Sequence, residues 1–155
     1  MIGAMTRALV AVGALLALAF LIFGVAVFAT RDEDRITADN LLSENLTRAI
    51  QVGEEETDGE VDLRAFAEFP WDRVLVVAPG APREDVSAVL GSEYNGTLPF
   101  GSRGPVFVFV RGSTVARIAD YRGRVVFRGF ESPVHELPRE DAVLRVSNLV
   151  VSPAA

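Results

Sequence analysis

The sequence contains no cysteine and no lysine, and only one histidine and one tryptophan occur among its 155 residues. Without cysteine the chain cannot form a disulfide, a thiolate zinc site, an iron–sulfur cluster, a cysteine nucleophile or a lipid-acylated N-terminus. Because His135 is the single histidine, mechanisms that use a pair or cluster of histidines are excluded. We therefore expect neither a cofactor nor a bound metal ion.

Apolar residues are concentrated near the N-terminus. Residues 8–29 contain no charged or strongly polar side chain in 22 positions. A helix of that length would extend about 33 Å, which matches the hydrocarbon core of a bilayer. The run is apolar on all sides, and it is longer than the roughly 7–15 residues typical of a signal peptide. The sequence therefore predicts a short leader, residues 1–7, followed by an uncleaved membrane-spanning helix.

Cleavage and orientation of this segment stay open. Val27–Ala29 is compatible with a signal-peptidase site, and cleavage after Ala29 would give a secreted protein. The positive-inside rule does not decide the orientation, because Arg7 precedes the span and Arg31 and Arg35 follow it. We expect a signal anchor in the cell membrane, with the N-terminus in the cytoplasm and the following domain outside it.

Small residues recur along one side of the predicted span. Gly13, Ala17 and Gly24 are separated by four and seven residues, and small residues allow membrane helices to approach closely. The span could therefore contact another membrane helix through these positions. Alternatively, it is a plain lipid-facing anchor.

Charge divides the remaining chain into two parts. The net charge is +1 for residues 1–29, −9 for residues 30–72 and +2 for residues 73–155. An amphipathic pattern predicts a short helix over residues 37–51, and the acidic stretch that follows, residues 54–60, is typical of a solvated linker. We therefore predict an acidic membrane-proximal stem, residues 30–60, that contains this helix.

Residues 61–147 have the composition of a small folded domain. Continuous apolar runs predict buried strands at residues 74–77 and 106–110, and a proline start and glycine end predict a helix over residues 82–91. The run at residues 106–110 begins a predicted hairpin, and further short turns follow closely after it. This pattern indicates an α+β fold with an antiparallel β-meander and one or two covering helices. Further predicted elements are strands within residues 114–121, 124–130 and 142–147, a proline-bounded loop at residues 132–138, and a flexible tail at residues 148–155.

Arginines dominate the middle of this domain. On one face or at the turns of a meander they would form a positive patch for anionic lipid headgroups, a polyanion or an acidic protein partner. Alternatively, they pair with the acidic stem or are simply solvated. Nucleic acid is not expected, because the chain is acidic overall and lacks a recognition motif. The arginines are Arg103, Arg111, Arg117, Arg122, Arg124 and Arg128.

Trp71, Asp72 and His135 are the remaining candidate site residues. His135 and Glu136 begin a metalloprotease-like pattern, but Arg139 stands where the second histidine is required, and the intervening proline would break the helix. No serine lies in a nucleophile-elbow motif. The sequence therefore favours binding over catalysis, although a small envelope hydrolase that uses Asp72 or His135 remains an alternative.

The segment Phe69–Val74, the helix that ends at Gly91 and the hairpin strand Val106–Val110 resemble a group of small bacterial envelope proteins. These carry a Phe-x-Trp-Asp-Lys/Arg-Val segment and are secreted, lipid-anchored or single-span proteins with one α+β domain. The resemblance covers about residues 61–130. It implies an envelope location and a fold but no reaction, since no activity is established for the group. This chain lacks the lipid-attachment cysteine.

Together these patterns predict a single-span membrane protein whose domain outside the cytoplasm is a non-catalytic binding or interaction module. The alternatives are the envelope hydrolase and an accessory subunit of a membrane complex. In the second case, Gly13, Ala17 and Gly24 would form the contact with the complex.

Overall fold

The computed structural model describes residues 37–56, 59–96, 98 and 104–154. These residues form two α-helices and eight β-strands, which confirms the predicted α+β class. The elements are α1 (Asn40–Glu55), β1 (Gly59–Asp62), β2 (Arg73–Val77), α2 (Arg83–Leu90), β3 (Val106–Arg111), β4 (Thr114–Asp120), β5 (Val126–Phe127), β6 (Val134–Pro138), β7 (Val143–Ser147) and β8 (Val150–Pro153).

The predicted leader and membrane span lie outside the described residues, together with Gly13, Ala17, Gly24 and the first part of the predicted stem. Neither of the two helices in the described ranges has the length and hydropathy needed to cross a bilayer. The span therefore remains a prediction from the sequence.

The strands form two sheets of four strands each. The central sheet has the order β4-β3-β2-β6 and is antiparallel throughout, whereas the outer sheet has the order β1-β7-β8-β5 and ends with a parallel β5–β8 pair. The expected β3–β4 hairpin is present. The predicted continuation of the meander is wrong, because the strand within residues 124–130 is only Val126–Phe127 and pairs with β8 in the other sheet.

Helix α1 explains why the meander stops at β4. The outer edge of this strand is already hydrogen-bonded: Asp39 donates its backbone N–H to Ile118 O at 2.7 Å, and Asp120 donates its N–H to Ser43 Oγ at 3.0 Å. A further strand therefore cannot pair along this part of β4, since the groups it would need are taken.

Two segments predicted as irregular are strands. The proline-bounded residues 132–138 include β6, which pairs with β2 and buries Val134 and Leu137. Prolines are tolerated there because β6 is an edge strand. The tail that was predicted to be flexible contains β8, whose Val151 is fully buried. A turn with positive φ at Asn148 and Leu149 folds β8 back onto β7.

The central sheet is buried on both faces, which accounts for the continuous apolar runs of β2 and β3. Phe107 and Phe109 of β3 point into a core shared with α1 and the outer sheet. Val106 and Val108 point the other way, into a second core that is covered by α2. An antiparallel sheet with both faces covered needs apolar residues at successive positions rather than at alternate ones.

Helix α1 is part of this domain and not of a separate stem. It buries Leu42, Leu46 and Ile50 in the first core, and it belongs to the same compact unit as the sheets. The structure therefore moves the start of the domain from residue 61 to the residues just before α1. The acidic stretch predicted as a linker provides the last turn of α1 and the start of β1, apart from residues 57 and 58, which lie outside the described residues.

Candidate functional site

Three adjoining grooves extend from the β3–β4 hairpin, past the start of α1, to the segment between α1 and β1. Their volumes are about 750, 170 and 410 Å³. The hairpin groove is lined by Phe69, Pro70, Arg111, Gly112, Thr114, Ala116 and Arg117. The central groove shares Phe69 and Arg117 with it and adds Asp39, Leu41, Leu42, Asn45, Phe66 and Glu68. The helix groove shares Asn45 and Phe66 with the central groove and includes Arg48, Ala49, Val52, Glu56, Glu60 and Asp62.

The segment Phe69–Asp72 builds one wall of the hairpin groove. The half-buried ring of Phe69 packs edge-on against Phe109 with centroids 5.4 Å apart, and Trp71 packs on the same ring at 5.2 Å. Trp71 is buried, and its Nε1–H donates to Ala67 O at 2.9 Å. Trp71 therefore supports the groove from inside the core, whereas Phe69 lines the groove itself.

Asp72 fixes the hairpin at the end of the groove. Its carboxylate accepts a hydrogen bond from the backbone N–H of Gly112 at 2.6 Å, and its own N–H donates to Val110 O at 2.9 Å. Gly112 has a φ of 61°, which a residue without a Cβ adopts readily. Asp72 is thus used in positioning the β3–β4 turn.

Arg73 and Arg139 also act on this segment, and the sequence analysis did not select them. The guanidinium of Arg139 lies 4.9 Å from the centroid of the Trp71 ring and donates to Trp71 O at 3.0 Å. Arg73 Nε lies 3.6 Å from Glu136 Oε2, and its Nη2 donates to Leu90 O at 3.3 Å. No local pattern marks these contacts, because the partners come from distant parts of the chain.

Arg117 of β4 connects the hairpin groove to the start of α1. Its Nη1 lies 2.6 Å from Asp39 Oδ2, and its guanidinium lies 4.9 Å from the centroid of the Phe69 ring. The pKa of Asp39 is lowered, first by the hydrogen bond from the backbone of Leu42 and further by Arg117, although desolvation opposes the shift. Arg117 is therefore a fixed, partly neutralised cation with an aromatic surface beside it.

Among the described residues, the other candidate arginines do not line the hairpin groove. Arg122 pairs with Asp120 at 2.8 Å and also donates to Asn40 Oδ1 at 2.8 Å. Burial tends to raise the pKa of Asp120, but hydrogen bonds from Arg122 and Ser43 outweigh it, and the pKa is lowered.

Three other arginines complete the candidate set. Arg124 and Arg128 are exposed near β5, and Arg103 lies outside the described residues. Among the described residues, no acidic group lies within ion-pair distance of Arg111, Arg124 or Arg128. Of the five candidate arginines that the structure describes, Arg111 and Arg117 lie together in the hairpin groove.

His135 and Asp72 do not converge. His135 lies opposite Val76 in the β2–β6 pair, half-buried, with its ring edge-on to Phe130 at a centroid distance of 5.3 Å. Asp72 precedes Val76 by four residues in an extended chain, which corresponds to roughly 13 Å. The two side chains of the hydrolase alternative therefore belong to different parts of the fold.

Comparisons with known proteins add no assignment to this geometry. No protein-family model, curated protein or solved structure matches the chain. In the part of the chain that the structure describes, no group of three or more His, Asp or Glu side chains could hold a metal ion. The hairpin groove, with two arginines beside an aromatic ring, is the feature on which a function can be argued.

Proposed function

We propose that the chain is a single-pass membrane protein whose domain lies outside the cytoplasm and binds an acidic partner or ligand in the hairpin groove. The observation that carries the proposal is the placement of Arg111 and Arg117 beside Phe69 in a groove of about 750 Å³. That volume lies within the roughly 300–1,000 Å³ of known ligand sites.

The two arginines have different roles in this proposal. Arg111 is exposed, and no described acidic group lies within ion-pair distance, so its guanidinium is available for a carboxylate or phosphate of the ligand. Arg117 is held by Asp39 and contributes a fixed positive edge. The planar guanidinium can donate hydrogen bonds to two oxygens of one anionic group at once, which gives directional binding.

Apolar surface between these charges supports a ligand that is not merely a small anion. Phe69, Pro70 and Ala116 form the uncharged part of the lining, and Thr114 adds a hydroxyl. A peptide-like ligand that carries a carboxylate next to an apolar side chain would contact both kinds of surface. We therefore expect acidic segments with an aromatic or aliphatic residue to bind better than a purely acidic segment.

The membrane location in this proposal is supported by residues 8–29 and by the resemblance to bacterial envelope proteins, and the groove supports the binding role. The segment that carries the resemblance, Phe69–Val74, is also the one that forms the groove wall and anchors the hairpin. The proposal thus assigns a purpose to that segment without requiring Trp71 or Asp72 to touch the ligand.

Fluorescence anisotropy can test the binding role. The full-length chain in detergent micelles is titrated into a fluorescein-labelled peptide with glutamates on both sides of one phenylalanine. We expect saturable binding, and the Arg111→Glu variant should bind at least tenfold more weakly because it places a negative charge in the groove. Arg124→Glu is the matched control, since Arg124 is exposed but does not line this groove.

The outcome of the control decides between the groove and general electrostatics. If Arg111→Glu and Arg124→Glu weaken binding equally, the peptide responds to the overall charge and the groove is not the site. If the wild-type chain does not bind the peptide, an acidic ligand with an apolar residue is ruled out for the groove.

A further inference from the structure

The three grooves form one continuous surface that starts at the β3–β4 hairpin and continues along α1. Neighbouring grooves share residues, so the order is hairpin groove, central groove, helix groove. The central and helix grooves follow α1 from Leu41 to Val52, and the eleven residue steps between these two correspond to about 17 Å. We call this the α1 face.

Exposed apolar side chains lie near both ends of α1. Leu41 is 69% exposed and Val52 is 53% exposed, although both belong to a helix that buries its other side in the core. The half-buried rings of Phe66 and Phe69 lie in the grooves beside them. Large apolar side chains clustered along a groove, with polar residues around them, are typical of a protein interaction surface.

The charges at the two ends of the α1 face have opposite signs. The charged residues described in the lining of the hairpin groove are Arg111 and Arg117. In the helix groove, Glu56, Glu60 and Asp62 outnumber Arg48, and Asp62 is paired with Arg64 at 2.8 Å. The hairpin groove is thus the basic end of the face and the helix groove is its acidic end. Between them lies the largely apolar central groove, whose charged residues are Asp39, paired with Arg117, and Glu68.

We propose that the α1 face binds the α1 face of a second copy of this chain, related by a two-fold axis near Asn45. This inference rests on the proposed function, because it identifies the acidic partner of the hairpin groove as the acidic end of a second copy. A rotation of 180° about that axis brings the basic end of one copy onto the acidic end of the other, twice. The partner therefore has to present an apolar centre between a basic and an acidic end, and this chain carries such a surface.

The charges also select the orientation. In the antiparallel arrangement Arg111 faces the partner's Glu56, and Leu41 lies near the partner's Ala49, since both are four residues from Asn45. A parallel arrangement would place the two basic ends together and the two acidic ends together, which is unfavourable. A contact along one short helix is small, so the tether to a common membrane contributes by raising the effective concentration of the second copy.

A cysteine at the axis provides the first test, because the chain has no native cysteine. Asn45→Cys should give a disulfide-linked dimer when the full-length chain in vesicles is mildly oxidised, since a residue at a two-fold axis meets its own copy. The control is Ala88→Cys on α2, which is exposed and belongs to the helix that covers the other face of the central sheet. We expect the crosslinked fraction to be at least tenfold higher for Asn45→Cys.

Charge reversal provides the second test. Arg111→Glu and Glu56→Arg, each combined with Asn45→Cys, should each lower the crosslinked fraction at least fivefold, because like charges then face each other twice. Mixing the two variants should restore crosslinking between unlike copies, since both contacts become attractive again. Chains of different mass, one with an added tag, identify the mixed dimer on a gel.

The apolar contact is tested with a matched pair of exposed valines. Val52→Ser should lower crosslinking, whereas Val126→Ser should not, because Val126 has a similar exposure of 51% but lies in β5. Serine removes apolar surface without adding a charge that the partner's basic end would attract. Fluorescence of Trp71, the single tryptophan, reports whether each variant is folded.

The results separate this inference from the proposed function. Equal crosslinking of Asn45→Cys and Ala88→Cys, or failure of the mixed variants to recover, would overturn the second copy as the partner. If the acidic peptide still binds in an Arg111-dependent manner, the hairpin groove keeps its proposed role with another partner. If Asn45→Cys does not crosslink preferentially and the acidic peptide does not bind in an Arg111-dependent manner, both proposals are overturned.

Discussion

The carboxylate of Asp39 lies 2.6 Å from the guanidinium of Arg117, and this ion pair joins the start of α1 to the edge of the central sheet. The same carboxylate accepts hydrogen bonds from the backbone N–H groups of Leu41 and Leu42 and thereby caps the helix. Asp39 also donates its own N–H to Ile118 O. One residue thus begins the helix, closes the edge of β4 and fixes an arginine of the hairpin groove.

Replacement of Asp39 should therefore destabilise the domain. Asp39→Ala loses the cap and the ion pair, and we expect a loss of about 1–2 kcal/mol in the free energy of unfolding. Asp39→Asn keeps an acceptor for the cap and should cost less. Urea unfolding followed by Trp71 fluorescence measures both. Glu93→Ala, at an exposed position, is the control and should stay within about 0.5 kcal/mol; equal stability of Asp39→Ala and the wild type would contradict the expectation.

Acid should weaken the same connections. The pKa values of Asp39 and Asp120 are lowered from 3.8 in the folded chain. These carboxylates therefore contribute stability that is fully present well above pH 3.8 and is lost as the pH falls from there through their folded pKa values. Unfolding free energies measured between pH 2 and pH 7 should fall below about pH 4. The unfolding free energy of Asp39→Asn should fall less steeply with decreasing pH than that of the wild type. An identical slope would show that protonation of Asp39 does not cause the loss of stability.

The two tyrosines should resist ionisation in the folded chain. Burial raises the pKa of Tyr94 to about 12 and also raises that of Tyr121. Absorbance at 295 nm should show no tyrosinate step near pH 10 unless urea is present. Because the unfolded chain ionises first, stability falls as the pH rises above about 10. A full step at pH 10 in the folded protein would show that both rings are exposed.

Removal of the two tyrosine hydroxyls should have different effects. Tyr121 Oη accepts a hydrogen bond from the N–H of Val125 at 3.2 Å, so Tyr121→Phe leaves a buried donor unpaired and should cost about 1–2 kcal/mol. The buried hydroxyl of Tyr94 has no hydrogen-bond partner among the described residues, so Tyr94→Phe should be neutral or stabilising. Thermal unfolding of both variants checks the difference, and a larger loss for Tyr94→Phe would reverse the interpretation.

Gly59 should not tolerate a side chain. A Cβ at this position would clash with the backbone oxygen of Gly53, where the end of α1 meets β1. Gly59→Ala should therefore shift the backbone and cost roughly 2 kcal/mol or more. At Gly80, whose φ is +82° and which has open space around it, alanine should cost only about 1 kcal/mol. Comparable losses at the two positions would show that the close approach is not rigid.

The proposed location is tested with the same single-cysteine variant. We expect a membrane-impermeant maleimide to label Ala88→Cys in intact cells, since the domain is proposed to lie outside the cytoplasm. Mass spectrometry of the purified chain should retain residues 1–29. Labelling only after permeabilisation would place the domain in the cytoplasm, and a mass without those residues would show cleavage after Ala29.

Local patterns predicted the elements that contain long apolar runs. The strand Val106–Val110, its hairpin and the helix after Pro82 were expected at nearly their observed positions. The short strands β1, β6 and β8 were missed because prolines, charges or few residues weaken the local signal. Their conformation depends on partners in distant parts of the chain, such as β2 for β6 and β7 for β8.

The candidate site was predictable only as a list of residue types. Arginine density pointed to Arg111 and Arg117, but it gave no reason to separate them from Arg122, Arg124 and Arg128. That separation depends on where the fold places each arginine. Arg111 and Arg117 of the β3–β4 hairpin lie beside Phe69, whereas Arg122, after the end of β4, pairs with Asp120 and donates to Asn40. The role of α1 in the grooves was hidden as well, because its acidic surroundings favoured a stem.

The sequence by itself determined the apolar segment of residues 8–29, the absence of cysteine chemistry and the α+β class, because each follows from composition or short-range periodicity. Only the tertiary structure decided that α1 closes the edge of β4, and that the chain after Asp120 therefore leaves for a second sheet. The physical reason is that an open strand edge must find hydrogen-bond partners, and which segment supplies them depends on packing across the whole domain.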